Sequence, residues 1–175
     1  MISQKIKEHV RDVLDFPKPG IVFKDITPIL KDPFLCDEIV EALSAQATPL
    51  HVDAIAGIES RGFLFGLALA QHLKVPFIPI RKAGKLPYKT IRQAYKLEYG
   101  EAVLEIHEDA FEKGQRVLVH DDLLATGGTV IAASALIEKS GAAIAGYSFI
   151  INLDFLNGKE RLKPFSSNIF SLVDY

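Results

Sequence analysis

The stretch RVLVHDDLLATGGT, residues 116–129, decides how the rest of the chain is read. Val117, Leu118 and Val119 predict a short buried strand. The adjacent carboxylates of Asp121 and Asp122 follow, and a turn containing Gly127 and Gly128 opens a helix near Gly128. A helix starting after such a turn offers an anion free backbone N–H groups and the positive end of its dipole, and the paired glycines let the backbone close around it. Ala125 belongs to the same turn, and Thr126 and Thr129 add hydroxyl donors. Ionised carboxylates only accept hydrogen bonds, so Asp121 and Asp122 suit the vicinal hydroxyls of a sugar, with or without a divalent cation between. Together these features point to one ligand, a ribose carrying a 5′-phosphate. A lone glycine pair would read more simply as an ordinary strand-to-helix turn; the whole string favours the ligand. It is neither of the commoner phosphate motifs, because no Lys follows Thr129 and no GxGxxG occurs.

Working outward, residues 130–139 continue the helix to a stop at Ser140-Gly141, and residues 142–153 contain the next strand. A loop or short helix then runs to Lys163, and residues 168–173 give a last short strand. Upstream, the nearly uncharged run VDAIAGI at 52–58 reads as a central parallel strand. The following FLFGLALAQHL is apolar on nearly every side and predicts a deeply buried helix. Asp32-Pro33 is a helix start, with Leu35, Ile39, Val40 and Leu43 as its buried face. Ile2, Ile6, Val10 and Val13 recur at helical spacing and predict one amphipathic helix over residues 3–14, its stripe used for packing. PFIPIRK at 76–82 reads as a strand. Residues 95–99 and 102–106 alternate as two strands joined at Gly100-Glu101, a hairpin projecting as a flap. Strands separated by helices predict an α/β fold with a mostly parallel central sheet flanked by helices, with function at the strand C-terminal ends.

The bulk numbers set limits on what such a fold does here. A chain of 175 residues with 49% hydrophobic and 24% charged side chains fits a single domain spanning residues 1–175. A net charge of −2 gives no global basic field, so no nucleic-acid partner is expected and any polyanion must be held by local cations. The single cysteine, Cys36, cannot form an intrachain disulfide and reads as a small apolar residue on a helix. The charged amphipathic N-terminus is no signal peptide, and uncharged runs such as residues 141–153 are too short for a bilayer. The expectation is a cytoplasmic protein with no membrane contact.

Two further segments supply those cations. Ser60 and Arg61 follow the 52–58 strand at a second strand-to-helix turn, where Arg61 offers a fork for phosphate oxygens or is simply a surface arginine. Arg81, Lys82 and Lys85, with Gly84 and Pro87, make a basic flexible loop that is either a solvated face or a cationic clamp.

DDLLATGGT resembles the phosphoribosyl pyrophosphate (PRPP) signature of the type I phosphoribosyltransferases, and in this spelling that of the adenine phosphoribosyltransferases. FPKPGIVFKDITPIL at 16–30, GIESRGF at 57–63 and YKLEYGEAVLEI at 95–106 resemble further segments of the same family. The resemblance implies a type I phosphoribosyltransferase fold. Its hood over the active site would be formed by the N-terminal segment and a flexible loop and hairpin near residues 82–106. It implies that backbone around Val22 and Lys24, with Phe23, frames adenine. Ser60, Arg61, Arg81, Lys82 and Lys85 would serve the pyrophosphate of PRPP, and Tyr99 is implied as a further PRPP-binding residue. Glu98 is implied as the catalytic proton handler. Lys24 stands where the family often has Arg, and His120 where it usually has an aliphatic residue. The activity implied is AMP and pyrophosphate formation from adenine and PRPP, with Mg2+ held mainly by PRPP and water near Asp121 or Asp122, in a homodimer. The alternatives are a phosphoribosyltransferase for another purine and a PRPP-sensing regulator.

Overall fold

The computed structural model describes residues 1–96 and 101–175. Its centre is β3 (Ala54–Ile58), an uncharged strand buried on both faces, flanked by β4 (Phe77–Lys82) and β7 (Arg116–Leu124). β3 pairs in parallel with both neighbours, Ile58 opposite Ile80 and Gly57 opposite His120. β8 (Ala143–Asn152) and β9 (Ile169–Asp174) extend the parallel part beyond β7. On the other side, β6 (Glu101–His107) runs antiparallel to β4, and β5 (Thr90–Lys96) antiparallel to β6, giving the order β5-β6-β4-β3-β7-β8-β9. The mostly parallel α/β sheet expected from the pattern is therefore present.

Alternation along the strands divides the core into two layers. Ala54, Ala56, Ile58, Val117 and Val119 face α4 (Gly128–Lys139), packing with Val130, Ala133, Leu136 and Ile137. Ile55 and Leu118 face the opposite way, onto α2 (Pro33–Ala47) and α3 (Gly62–Leu73) through Ile39, Leu43, Phe65 and Leu69. The helices after the adjacent strands β3 and β7 thus leave to opposite faces, which opens a crevice at the carboxyl ends of those strands.

Local signals explain most boundaries. The Asp32 carboxylate caps α2, accepting from the N–H groups of Phe34 and Leu35 at 3.1 Å each, with Pro33 at the first helical position. α4 stops at Ser140, followed by Gly141 at a φ of 90°. Cys36 lies on α2 as expected.

Three expectations need correction. The predicted helix over 3–14 ends early: α1 covers Ile2–His9, and Arg11–Leu14 is a strand, β1, paired antiparallel with β2 (Val22–Asp25). Ile6 is fully buried, with Ile2 and Val10 packed nearby, so the stripe is spent on the core as expected. Val13, however, sits opposite Phe23, because cross-strand pairing outweighs a weak helical period at the end of a short helix. α3 is not apolar-buried all round; Leu64 and Leu67 remain 46% and 47% exposed. The hairpin strands are longer than predicted, starting at Thr90, and Glu101 belongs to β6, opposite Lys96. Glu98 and Tyr99 lie outside the described residues.

Candidate active site

β7 runs further than its apolar run suggested, through Asp121 and Asp122 to Leu124, because its ladder with β8 continues to Leu124 opposite Asn152. The two acids therefore stand on a strand, rigidly, with Ala125, Thr126 and Gly127 forming the turn into α4. Gly127 takes a φ of 81°, the left-handed conformation that only glycine adopts without strain. Asp121, Leu123 and residues 125–130 line a small concavity at the start of α4, where a 5′-phosphate would meet the free N–H groups.

Beside it, Glu59, Ser60, Arg61, Lys82, Asp121 and Asp122 line a polar cleft of about 320 Å³. Parallel pairing of β3 with β4 and β7 sets these three chain ends side by side. Gly62 allows the approach: a Cβ there would stand 2.9 Å from both Asp121 Oδ1 and the His120 carbonyl oxygen. The Asp122 carboxylate is buried, with Oδ2 2.6 Å from Arg61 Nε as an ion pair, although that oxygen has no aligned hydrogen bond. Asp121 Oδ1 accepts the Asp122 N–H at 2.9 Å. Burial, and then the adjacent Asp122 charge, push the Asp121 carboxyl well above the usual carboxylate range.

A larger cleft of about 830 Å³ opens on the other side of the turn, lined by Ile21, Val22, Phe23 and Lys24 of the β2 segment, Lys96 of β5, and Leu123, Ala125, Thr126 and Gly128. It is of a size to take a purine with its sugar. The Lys24 ammonium is turned to Asp12 at 2.7 Å and lies over the Tyr175 ring, so its charge is already paired. The Arg61 guanidinium lies 4.8 Å from the Phe23 ring centre and so touches the wall of this cleft as well as Asp122.

Arg81 and Lys85 are placed differently from a free cationic clamp. Glu59 holds both, Arg81 Nε at 3.2 Å and Lys85 Nζ at 2.9 Å, and also accepts the Lys82 N–H at 3.0 Å. Burial pulls the Glu59 carboxyl upward, but the Lys85 ammonium, the Lys82 N–H and Arg81 outweigh it and hold it below its ordinary value. Of the three basic side chains, only Lys82 lines the polar cleft.

Sequence reasoning missed Leu123, Leu153, Leu156 and Arg161, which complete the larger cleft. Arg161 comes from α5 (Gly158–Leu162), where Nη1 donates to the Thr126 carbonyl at 2.6 Å and so braces the turn into α4. Nothing in the local sequence around Arg161 marks it, because a separation of 35 residues is closed only by the fold.

His120 belongs to packing, as its position suggested. It is fully buried on β7, with Nδ1 3.2 Å from Ser148 Oγ and Nε2 without a partner. Burial drives its pKa down to about 4. A depressed folded pKa means that the unfolded chain binds the extra proton between pH 6.5 and 4, so stability is full above that window and falls with acidification through it. Between about pH 7.5 and about pH 5 the protein is expected to lose about 2 kcal/mol more than a His120→Leu variant, as read from urea melts at both pH values. Parallel pH slopes would contradict this.

A family model described as a phosphoribosyl transferase domain matches residues 25–164. The adenine phosphoribosyltransferase of Cytophaga hutchinsonii is 54% identical over 175 residues, covering 100% of this chain and 97% of that protein. The crystal structure of the adenine phosphoribosyltransferase from Thermoanaerobacter pseudethanolicus superposes with a TM-score of 0.95 at 46% identity, covering 100% of both chains. That of Saccharomyces cerevisiae, complexed with an imino-altritol bisphosphate and adenine, gives a TM-score of 0.91 at 39% identity, covering 98% of each.

Proposed function

The chain belongs to the phosphoribosyl transferase family, and from that premise we infer that its activity is that of the adenine-specific members, making AMP in purine salvage. Adenine and PRPP give AMP and pyrophosphate. The observation that supports this most directly is the pair of clefts meeting at Asp121–Thr129, one polar, with Arg61 and Lys82 among carboxylates, the other walled largely by apolar side chains. Placed across them, PRPP sets its 5′-phosphate on the start of α4, its ribose hydroxyls at Asp121 and Asp122, and its pyrophosphate toward Ser60, Arg61 and Lys82. Adenine then lies against Val22, Phe23 and the backbone of Lys24, with Leu123 opposite.

In the reaction the bond from the anomeric carbon to pyrophosphate oxygen breaks, a bond from that carbon to adenine nitrogen forms, and the nitrogen's proton leaves. Positive charge develops on the sugar, where the Asp122 carboxylate favours it, and negative charge on pyrophosphate, where Arg61 and Lys82 receive it. The carboxylates of Asp121 and Asp122 at the polar cleft are oxygen ligands of the kind a hard divalent cation takes, although Asp122 Oδ2 is already beside Arg61. Mg2+ bound with PRPP and water beside Asp121 or Asp122 supplies charge neutralisation at the leaving group. Arg81 and Lys85 act at one remove, by neutralising Glu59. The β1–β2 ribbon and the β5–β6 hairpin form a hood that excludes water, the competing nucleophile. Glu98, in the segment joining β5 to β6, takes the adenine proton, with Tyr99 beside it.

Among the described residues no helix is long and apolar enough to cross a membrane. The working form is a cytoplasmic homodimer; exposed apolar side chains at Phe34, Leu64 and Leu67 support a partner face, now that the α1 stripe is committed to the core. The deciding experiment presents adenine, hypoxanthine, guanine and xanthine with PRPP and Mg2+ and follows pyrophosphate release. Adenine is expected to react with a kcat/KM at least about 10²-fold above the others, since bases with a different pattern of donors and acceptors leave polar groups in the cleft unpaired. Preference for another base would overturn the reading.

A further inference from the structure

Glu105 is a fully buried carboxylate that lines neither cleft and has no part in the chemistry above. It stands on β6 directly opposite Arg81 of β4. Its Oε1 accepts the backbone N–H groups of Lys85 at 2.9 Å and Leu86 at 3.0 Å. Its Oε2 accepts from Thr90 Oγ1 at 3.3 Å and Arg92 Nε at 3.1 Å. Burying a charge is costly unless its lone pairs are satisfied, and two of these four donors come from the backbone of the basic loop. That loop contains Gly84 at a φ of 85° and has little apolar anchoring of its own.

The contact extends toward the active site. With its N–H on Glu105, Lys85 reaches across so that Nζ meets Glu59 Oε1 at 2.9 Å, and Glu59 lines the polar cleft beside Arg61 and Lys82. Arg92 is taken by Glu105 itself, and Arg81 and Lys85 by Glu59. If the loop backbone let go, Lys85 would leave Glu59 to Arg81 alone, and the Glu59 carboxylate would face any anion in that cleft with one cation fewer beside it. Like charge in a cleft raises the cost of binding pyrophosphate without touching the purine.

We propose that Glu105 is a positioning residue for the pyrophosphate end of PRPP, acting through the Lys85 backbone and the Lys85–Glu59 ion pair. The proposal rests on the reading of the polar cleft as the pyrophosphate site. It is tested with KM for PRPP, KM for adenine and the inhibition constant of pyrophosphate in the wild-type chain, Glu105→Gln, Lys85→Ala and the double variant. Gln keeps the shape but loses the charge and one acceptor oxygen, so it cannot accept both from the loop N–H groups and from Thr90 and Arg92. Glu105→Gln is expected to raise PRPP KM and the pyrophosphate constant about tenfold, with adenine KM and kcat within about twofold. The double variant should be no worse than the poorer single one within about twofold, since both break the same chain of contacts. A fall in melting temperature with unchanged pyrophosphate binding, or fully additive effects, would overturn it. Lys82→Ala separates the two readings. If Lys82→Ala weakens pyrophosphate and Glu105→Gln does not, only the role of Glu105 falls; if neither does, the cleft assignment falls with it. Should Glu105→Gln not fold, Glu105→Asp keeps the charge on a shorter arm, and is expected to raise the pyrophosphate constant about threefold; no change there overturns the proposal equally.

Discussion

Asp122→Asn is expected to lower kcat/KM for PRPP roughly 10²- to 10³-fold while adenine KM changes little. Asp122 is 4% exposed and sits with Oδ2 2.6 Å from Arg61 Nε. Removing its charge does two things. It leaves the Arg61 guanidinium without its buried counter-charge, so Arg61 is free to swing from both the pyrophosphate cleft and the Phe23 ring. It also removes the nearest fixed negative charge from a sugar that becomes cationic as the leaving group departs. Asp121→Asn is expected to cost less, about tenfold, because burial and the Asp122 charge already favour the neutral form of Asp121, which an amide imitates. Steady-state kinetics with PRPP varied at saturating adenine measures both. Equal, near-wild-type values in the two variants would remove the pair from the ribose site.

The parts of this site that could be read in the sequence are those whose physics is local. Residues 116–129 carry strand, acids, turn and helix start within one stretch, and Gly127 takes the left-handed backbone that such a turn requires. The cap at Asp32 and the stop at Gly141 are likewise written within a few residues. What could not be read is set by long-range pairing. Val13 continues a helical period in sequence, yet it joins a strand because residues 22–25 lie alongside. Glu105 falls between Leu104 and Ile106 and reads as the solvent face of an alternating strand; it is buried because the basic loop folds over it. Arg81 and Lys85 count as free cations in sequence, but both are paired with Glu59, distant along the chain. Charge in a sequence is a sum, whereas charge in a cleft is a matter of who is paired with whom.

Glu98→Gln is expected to lower turnover by roughly 10²- to 10⁴-fold, the range for removing a principal proton-transfer group. Adenine is neutral when it binds and must lose a proton as its nitrogen bonds to the sugar, and an amide cannot accept that proton. The strands on either side of residues 97–100 favour that role for Glu98. β5 and β6 pair up to Lys96 opposite Glu101, and Lys96 lines the larger cleft. One residue before, the Tyr95 hydroxyl lies 3.5 Å from Thr129 Oγ1, tying β5 to the first turn of α4, the place proposed for the 5′-phosphate. Strand β5 and the turn into α4 are therefore joined at the edge of that cleft. Because the loss concerns the chemical step, kcat should fall while KM for adenine and for PRPP stays within about threefold. The acidic limb of the pH–rate profile should disappear with it, since in the wild-type chain activity falls as the carboxylate that accepts the proton is itself protonated. Glu98→Asp, which keeps the charge on a shorter arm, should recover part of the rate. Wild-type turnover in Glu98→Gln would move the proton to solvent or to the departing pyrophosphate, whose oxygens lie across the anomeric carbon from the base. The hairpin would then serve only to close the cleft.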